Sequence, residues 1–289
     1  MEPDANVDAM ELMRLLDLSA ADKATWNMSS DGMRRFVDGL TTLAALECDP
    51  RGIKIRNVMM TRGAAYIAHV VDALKCRDVL LKCKSASALG SICMCRDSSV
   101  DLLKAHGTVV LAGLTRMVVG KNRWAQGDAI FVLGWIARWA NDDVTLDAMS
   151  AVVPNACAMV ASSWTTTAED DAAEDRETNL RIYPYVFLLN LSQHRSLAPA
   201  LDAVIAGIAD TIEALLGDPS IAEAAVIARL STSLMVTLVD KEPETVRPLV
   251  LAKKMLPSVA KLSRKCLDED GVISDQCRIL LELVVKTHR

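Results

Sequence analysis

Pairs of apolar residues three positions apart recur six times along this chain at nearly constant intervals. The pairs are Leu43/Leu46, Leu89/Ile92, Leu133/Ile136, Leu188/Leu191, Met235/Leu238 and Leu280/Leu283. Their second members lie 46, 44, 55, 47 and 45 residues apart. A period of about 40 to 47 residues in a helical pattern is typical of stacked helical repeats, in which each repeat buries its apolar face against its neighbours. The sequence therefore predicts an all-α fold, a right-handed α-solenoid of about six repeats.

The composition agrees with a helical chain. Of its 289 residues, 51% are hydrophobic but only 4% are aromatic, so the core is aliphatic. Ala, Leu and Met suit helices, and 13 Gly and 9 Pro are too few for the frequent turns of an all-β fold. We expect the long helix of each repeat at residues 33–48, 84–96, 126–140, 181–194, 225–240 and 273–287.

Two segments interrupt the regular pattern. Residues 1–30 hold a short amphipathic run followed by the polar stretch SAADKATWNMSSD, and we interpret them as an N-terminal cap and connector. Residues 31–289 then form the repeat domain. The interval of 55 residues coincides with residues 164–179, WTTTAEDDAAEDRETN, which carry six carboxylates and no apolar periodicity. Because such a segment has little apolar surface to bury, we predict a solvated acidic loop there.

The clearest repeat covers residues 97–140. It contains the phrase KAHGTVVLAGLTRMV, followed by QGDAIFVLGWIARWANDD. Gly107 predicts a break between a short first helix and a second helix, and a turn at 122–126 leads into a long third helix. This pattern and these two phrases resemble the armadillo repeat. Gly63 lies 44 residues before Gly107 in an equivalent position. In the weaker repeats, the HEAT type fits nearly as well.

The resemblance implies binding rather than catalysis. Armadillo-like proteins hold a partner's segment in a concave groove, so the resemblance implies a non-catalytic scaffold or adaptor for protein–protein interaction. Two alternatives stay open. One is a chaperone cofactor similar to the nucleotide exchange factors of Hsp70, which are short armadillo-like stacks. The other, from a different class, is a nucleic-acid-binding protein similar to the HEAT-like DNA glycosylases.

The resemblance also suggests where a peptide would bind. Armadillo proteins that hold extended peptides use an Asn near the middle of each third helix to bond the peptide backbone. By alignment of the phrases, these positions here are Ala45, Ser91, Trp135, Asn190, Thr237 and Glu282. Only one of the six is Asn, so the sequence does not support a regular Asn ladder. A more local binding site is expected instead.

This local site is predicted on the third and fourth repeats. Phe131, Trp135 and Arg138 lie on the side of their helix opposite its apolar stripe. Asn190 and His194 occupy the matching face of the next long helix. Large aromatic residues and Arg dominate binding energies, which makes this group a candidate hot spot for a partner. The alternative is that Trp135 fills the seam between adjacent repeats.

Positive charge is concentrated in residues 51–140, which contain 14 basic and 5 acidic side chains. In a solenoid, a band in the sequence becomes a patch in the fold. Lys121 and Arg123 lie at a turn and are predicted to belong to a basic rim, which favours an acidic peptide segment or an acidic surface of a protein partner. A pI near 5.5 disfavours a dedicated nucleic-acid-binding protein.

The sequence lacks motifs of known chemistry. It contains no phosphate-binding loop of the GxxxxGKS/T or GxGxxG type, no HExxH and no GxSxG. The four histidines, at 69, 106, 194 and 288, lie far apart, and Cys93 and Cys95 point to different sides of a helix. We therefore predict no enzyme, no catalytic residues, no cofactor and no metal, with the eight cysteines as reduced core residues.

The sequence also bears on location. Its N-terminus, MEPDANVDAMELMRLL, is acidic and lacks a basic start followed by an apolar stretch, so no targeting signal is visible. No apolar run reaches the roughly 18 to 20 residues of a membrane span, and the nearest, 130–140, contains Arg138. We expect a cytoplasmic or nuclear protein without a membrane span, either a monomer or a subunit of a larger complex.

Overall fold

The computed structural model describes residues 5–164, 171–218, 220–265, 267 and 269–285. Within these ranges every regular element is a helix and no strand occurs, which confirms the all-α prediction. The chain divides into two compact units, Met1–Ala148 and Met149–Arg289.

The first unit contains helices α1 to α8 and the start of α9. Their bounds are α1 (Ala5–Leu15), α2 (Ala20–Thr25), α3 (Asp31–Ala45), α4 (Gly52–Arg62), α5 (Ala64–Ala73), α6 (Val79–Cys93), α7 (Arg96–Val119), α8 (Arg123–Trp139) and α9 (Asp143–Ser150). Helices α3, α6 and α8 pack side by side as one layer. Helices α1, α5 and α7 pack against this layer, and α4 packs on all three of them.

Neighbouring helices of this layer are related by a shift of one repeat. Lys84 Nζ donates to Thr41 Oγ1 at 3.0 Å, which joins α6 to α3 across 43 positions. Trp139 Nε1 donates to the Cys93 carbonyl at 3.0 Å, which joins α8 to α6 across 46 positions. Both shifts are close to the interval between the apolar pairs. The layer is therefore the stack of long helices that the period predicts.

A side-chain N-cap starts each helix of this layer. Side-chain oxygens of Ser30, Asp78 and Asn122 accept hydrogen bonds from backbone N–H groups in the first turns of α3, α6 and α8. Each cap satisfies an N–H group that has no partner inside its helix. The caps lie 48 and 44 residues apart, so they recur with the apolar period.

The second unit contains helices α10 to α16. Their bounds are α10 (Val153–Ser163), α11 (Asp171–Ser192), α12 (Leu201–Gly217), α13 (Ala224–Lys241), α14 (Pro243–Ala252), α15 (Leu256–Leu262) and α16 (Val272–Val285). Helices α11, α13 and α16 pack side by side, with α10, α12 and α15 against them. Thr232 Oγ1 donates to Gln276 Oε1 across 44 positions, so the repeat spacing also relates α13 to α16.

The apolar pairs that define the period lie in the core. All of them are buried except Leu283, which is half-buried. Each pair lies on, or directly at the end of, one of the six predicted long helices, which confirms these helices. Most of their ends lie within a few residues of the predicted positions, but α11 begins ten residues before the predicted start. Residues 286 and 287, the predicted end of the sixth helix, lie outside the described residues.

The predicted helix break at Gly107 is wrong, because α7 continues through it as a single helix of 24 residues. One glycine inside a helix costs only about 1 kcal/mol relative to alanine. Buried side chains on either side, including Leu102 and Leu114, outweigh this cost. Gly63 does separate α4 from α5. A Cβ at Gly63 would lie 2.6 Å from the Met59 carbonyl oxygen, so a larger residue would force a shift.

The predicted acidic loop at 164–179 is also wrong over much of its length. Residues 171–179 form the first part of α11, while 165–170 lie outside the described residues. Arg181 donates to Glu174 at 2.9 Å, and this ion pair offsets part of the cost of gathering carboxylates in one helix. Ala173 and Glu177 are buried, so the segment has an inward face that its composition does not reveal.

The N-terminal segment is more helical than predicted. In place of one amphipathic run and a connector, it forms α1 and α2. Leu12 and Met13 bury the inner face of α1, which packs on α3 and α4. The Ser19 hydroxyl caps α2 by accepting a hydrogen bond from the Asp22 N–H at 3.1 Å. The boundary of the cap at residue 30 stays a prediction.

Two helical glycines are expected to respond oppositely to alanine. At Gly90 a Cβ would lie 2.7 Å from the Phe131 ring, so the ring must move. We expect Gly90→Ala to lower the free energy of unfolding by about 1–3 kcal/mol. At Gly107 the nearest atom is 3.8 Å away, and Gly107→Ala should raise that free energy by about 0.5–1 kcal/mol. Urea unfolding measures both changes, and effects of the same sign would contradict the packing described.

Two helical stretches have the length and apolar composition to cross a membrane. These are Arg96–Val119 and Asp143–Ser163, and 39% and 50% of their most apolar windows are buried inside the fold. The second stretch is divided by a turn between α9 and α10. Core helices of soluble proteins often have the same length and apolar composition, so these two stretches are weak evidence for a membrane span. The expected absence of a membrane span stays a prediction.

Candidate functional site

Helix α8 presents two faces of opposite character. Leu133 and Ile136 are fully buried on one side. On the other side, Phe131 and Trp135 are half-buried and Arg138 is exposed. One helix thus brings these three predicted site residues together, as the helical period indicates. That they bind a partner stays a prediction.

Phe131 and Trp135 form an edge-to-face pair. Their ring centroids lie 6.4 Å apart and their planes meet at 90°, an arrangement that the ring quadrupoles favour. Gly90 on α6 makes room for the Phe131 ring, since any side chain there would overlap it. The Phe131 ring therefore packs closely against α6, and this contact holds the ring in place on the surface of α8.

Arg138 lies against two tryptophan rings. Its guanidinium carbon is 5.7 Å from the ring centroid of Trp135 and 4.9 Å from that of Trp139. Trp139 is held in turn by its hydrogen bond to the Cys93 carbonyl. At these distances both rings make cation–π contacts with the guanidinium, and Arg138 is still exposed to a ligand. We call Phe131, Trp135, Arg138 and Trp139 the α8 cluster.

The indole N–H of Trp135 is buried, and no described residue accepts a hydrogen bond from it. Buried donors are normally paired, and an unpaired one costs about 1–3 kcal/mol. The ring is therefore held by its contacts with Phe131 and Arg138 rather than by a polar anchor. Trp135→Phe would remove the unpaired donor and keep an aromatic ring, which makes it a mild variant for binding tests.

Asp128 lies on the same face of α8, seven positions before Trp135. Burial raises the pKa of its carboxyl to about 6, although the Cys83 thiol and the Ser87 hydroxyl of α6 act as hydrogen-bond donors to it. Burial, together with the nearby Asp128 charge, raises the pKa of Cys83 to about 12. The thiol is therefore a hydrogen-bond donor here and not a thiolate nucleophile.

The pH dependence of stability tests this environment. The folded-state pKa of Asp128 lies above the unfolded value, so its stabilising contribution is full below about pH 4 and is lost as pH rises through about 6. We expect Asp128→Asn to be about 1–3 kcal/mol more stable than the wild type near pH 7.5 and to match it near pH 4. Urea unfolding at both pH values measures this. Asp38→Asn, at an exposed carboxylate on α3, is the control, and equal effects of the two variants would contradict the assignment.

Lys121 and Arg123 lie at the other end of α8. Lys121 is exposed in the turn between α7 and α8, and Arg123 is the half-buried first residue of α8. Arg138 lies fifteen residues further along this helix, which is about 22 Å at 1.5 Å per residue. The two cations therefore do not join the α8 cluster and form a separate part of the surface.

Asn190 and His194 belong to the second unit. Asn190 is half-buried in the last turn of α11. His194 is exposed just beyond the end of α11, where its backbone N–H donates to the Leu191 carbonyl at 2.9 Å. The structure thus places both residues at one end of α11. Their part in a site with α8 stays a prediction.

Ser91, which aligns with the Asn of peptide-binding repeats, does not reach the surface. It is fully buried, and its hydroxyl accepts a hydrogen bond from Arg56 Nη1 at 3.2 Å. Arg56 also donates to the Leu46 carbonyl at 3.0 Å, directly after α3. Burial lowers the pKa of this guanidinium. These bonds assign Ser91 to the interior of the first unit rather than to a peptide groove.

Histidines, cysteines and acidic residues form no metal-ligand cluster in the part of the chain that the structure describes. The described cysteines are free thiols: Cys76, Cys93, Cys157 and Cys277 are buried, Cys83 and Cys95 are half-buried, and Cys48 is exposed. The prediction of a core position is therefore wrong for Cys48. Cys266 and His288 lie outside the described residues.

Comparison with solved structures identifies this arrangement of helices. An engineered protein from a structural genomics consortium matches with a TM-score of 0.65 and 14% identity, over 95% of this chain and 96% of that chain. A designed armadillo repeat protein in complex with the peptide (KR)4 matches with a TM-score of 0.64 and 13% identity, over 95% and 99% of the two chains. The chain has an armadillo-like helical repeat fold.

A third match is a computationally designed armadillo repeat protein for modular peptide recognition, with a TM-score of 0.64 and 11% identity over 94% of this chain and 98% of that chain. No family model matches the sequence, and neither does any curated protein. Because all these identities are low, the armadillo-like likeness shows the fold and does not transfer a partner. Within this fold, the helices that carry the apolar pairs are α3, α6 and α8 in the first unit and α11, α13 and α16 in the second.

Proposed function

We propose that this armadillo-like chain is a non-catalytic scaffold that binds a segment of a partner protein on the α8 cluster. The proposal rests on the environment of the Arg138 side chain. Its guanidinium is exposed, rests on the rings of Trp135 and Trp139, and pairs with no carboxylate among the described residues. A side chain ordered in this way before binding loses less entropy when a ligand arrives, so more of the contact energy appears as affinity.

The chemistry of the α8 cluster favours an acidic ligand. A guanidinium offers parallel N–H donors that match the two oxygens of a carboxylate, and such charge-assisted pairs are stronger than neutral hydrogen bonds. The charge of the segment that contains α8 agrees with this preference, because residues 51–140 carry 14 basic and 5 acidic side chains. The designed armadillo repeat protein described above is bound to the basic peptide (KR)4. Arg138 favours a segment of the opposite charge.

The spacing within the α8 cluster suggests the form of the segment. Phe131 and Arg138 are separated by two helical turns, which is about 11 Å. An extended chain covers this distance in about three residues. A matching segment therefore carries an Asp or Glu at Arg138 and an apolar side chain about three positions away, against Phe131 and Trp135. Large aromatic residues and Arg are the residue types that most often dominate such contacts.

Selection from a library of random short peptides displayed on phage tests the proposal. We expect the wild-type chain to enrich peptides that pair a carboxylate with a nearby apolar residue. The same selection on Trp135→Ala and on Arg138→Glu should lose this enrichment, while circular dichroism confirms that both variants remain helical. Enrichment of basic peptides, or an acidic enrichment that survives both substitutions, would contradict the proposal.

A further inference from the structure

The starts of α6 and α8 form a second surface of distinct composition. Cys83 lies beside Asp128, and Cys93 beside Trp139, so α6 and α8 run parallel with a shift of about 45 residues. Val79 at the start of α6 therefore lies near Trp124 at the start of α8. We call the residues at this edge the α6–α8 rim: Arg77, Val79, Leu80, Val119, Lys121 and Trp124.

Large apolar side chains are exposed along the α6–α8 rim. The exposed fractions are 41% for Val79, 56% for Leu80, 62% for Val119 and 46% for Trp124. Single exposed apolar residues are common, but here four of them occur at the ends of three consecutive helices, at the starts of α6 and α8 and at the end of α7. The edge thus presents apolar surface that the described part of this fold does not cover.

Cations surround these apolar side chains. Arg77 and Lys121 are exposed, and Lys82 and Arg123 lie within the first turns of α6 and α8. A cleft of about 720 Å³ opens beside Arg77 and is also lined by Trp26, Lys75 and Asp78. Because Lys75 pairs with Asp72 at 2.9 Å, Arg77 is the cation of this cleft that adds to the positive charge of the α6–α8 rim.

We infer that the α6–α8 rim docks on an anionic lipid surface. Aliphatic and Trp side chains settle at the boundary between headgroups and acyl chains, and Lys and Arg beside them are attracted to anionic lipids. The rim has both features, interleaved at turns and helix ends. An anionic bilayer complements both features at once, because its headgroups attract the cations and the layer beneath them takes up apolar side chains. The combination of exposed apolar side chains with neighbouring cations therefore favours a lipid surface.

This inference goes beyond the proposed peptide site. Trp124 and Arg138 are fourteen residues apart on α8, about 21 Å along the helix. The α6–α8 rim therefore lies at the start of α8, and the α8 cluster occupies the second half of the same helix. A chain that uses both would present a bound protein segment next to a membrane surface.

Co-sedimentation with lipid vesicles tests the inference. We expect the full chain to bind vesicles of mixed phosphatidylserine and phosphatidylcholine at low salt and not vesicles of phosphatidylcholine alone. Since each cation near an anionic surface contributes roughly fivefold in affinity, Arg77→Glu with Lys121→Glu should weaken binding by at least about 25-fold. Leu80→Ser with Val119→Ser should also weaken it several-fold, because the apolar contact is lost.

Matched variants remove the effect of net charge. Lys54→Glu with Lys104→Glu makes the same change in charge at exposed positions away from the α6–α8 rim, and it should leave vesicle binding nearly intact. Equal loss in both charge pairs, equal binding to the two kinds of vesicle, or no vesicle binding would overturn the inference. Binding to soluble polyglutamate but not to vesicles would also overturn it, in favour of an acidic protein partner.

Discussion

Arg138→Glu is expected to weaken binding of a selected acidic peptide by at least about 100-fold. Hot-spot contacts are each worth about 2 kcal/mol or more, and juxtaposed like charges cost several kcal/mol in addition. Arg138 is exposed, so its replacement removes little packing from the core. The loss should therefore appear in the dissociation constant, measured by isothermal titration calorimetry, and not in the free energy of unfolding.

Arg14→Glu is the matched control for this experiment. Its side chain is 80% exposed on α1, and the substitution changes the net charge by the same amount. We expect it to change the affinity by only a few-fold, through long-range electrostatics that salt screens. If both substitutions weaken the peptide equally, general charge and not the α8 cluster governs binding. The assignment of Arg138 would then be wrong.

Leu133→Ala is expected to lower the free energy of unfolding by about 2–5 kcal/mol. Leu133 is fully buried on α8, which packs on both α6 and α7. The substitution leaves a cavity at the meeting point of three helices, where the structure can relax only in part. Urea unfolding followed by circular dichroism gives the value.

Leu80→Ala is the control for the effect of the residue type. Leu80 is 56% exposed at the start of α6, so its truncation should change the free energy of unfolding by no more than about 0.5 kcal/mol. If Leu133→Ala lowers the free energy of unfolding as little as Leu80→Ala does, Leu133 does not face the core. The division of this helix into a core face and a cluster face would then fail.

Much of the fold could be predicted because the buried apolar pairs recur at nearly constant intervals in the sequence. Each of the six long helices carries its own pair, and the caps Ser30, Asp78 and Asn122 repeat at similar intervals. The errors arose where a local signal opposed tertiary packing. Gly107 looks like a helix breaker, yet buried residues on both sides hold α7 together.

The acidic segment misled for a related reason. Its carboxylates suggest a solvated loop, but composition does not show that Ala173 and Glu177 turn inward on α11. Ion pairing with Arg181 depends on a spacing of seven residues within a helix. That spacing carries information only once the segment is known to be helical.

The candidate site was predicted only in part. The helical period was enough to group Phe131, Trp135 and Arg138. Trp139 was missed, although its spacing of four from Trp135 indicates the same face. Asp128 was missed too, and its contact with Cys83 could not have been foreseen, because it depends on the register between α6 and α8. Exposure at the α6–α8 rim likewise depends on what neighbouring helices leave uncovered.

A charge-swap cycle tests whether Arg138 binds a carboxylate of the partner segment. Wild-type and Arg138→Glu chains are titrated with a selected peptide and with its variant in which the acidic residue is replaced by Lys. Each single change should weaken binding by about 100-fold, and the double change should restore at least about tenfold of the affinity, since contacting charges couple by more than about 1.4 kcal/mol. If the two losses simply add, Arg138 does not contact the acidic residue, and the proposed binding of an acidic segment at Arg138 is wrong.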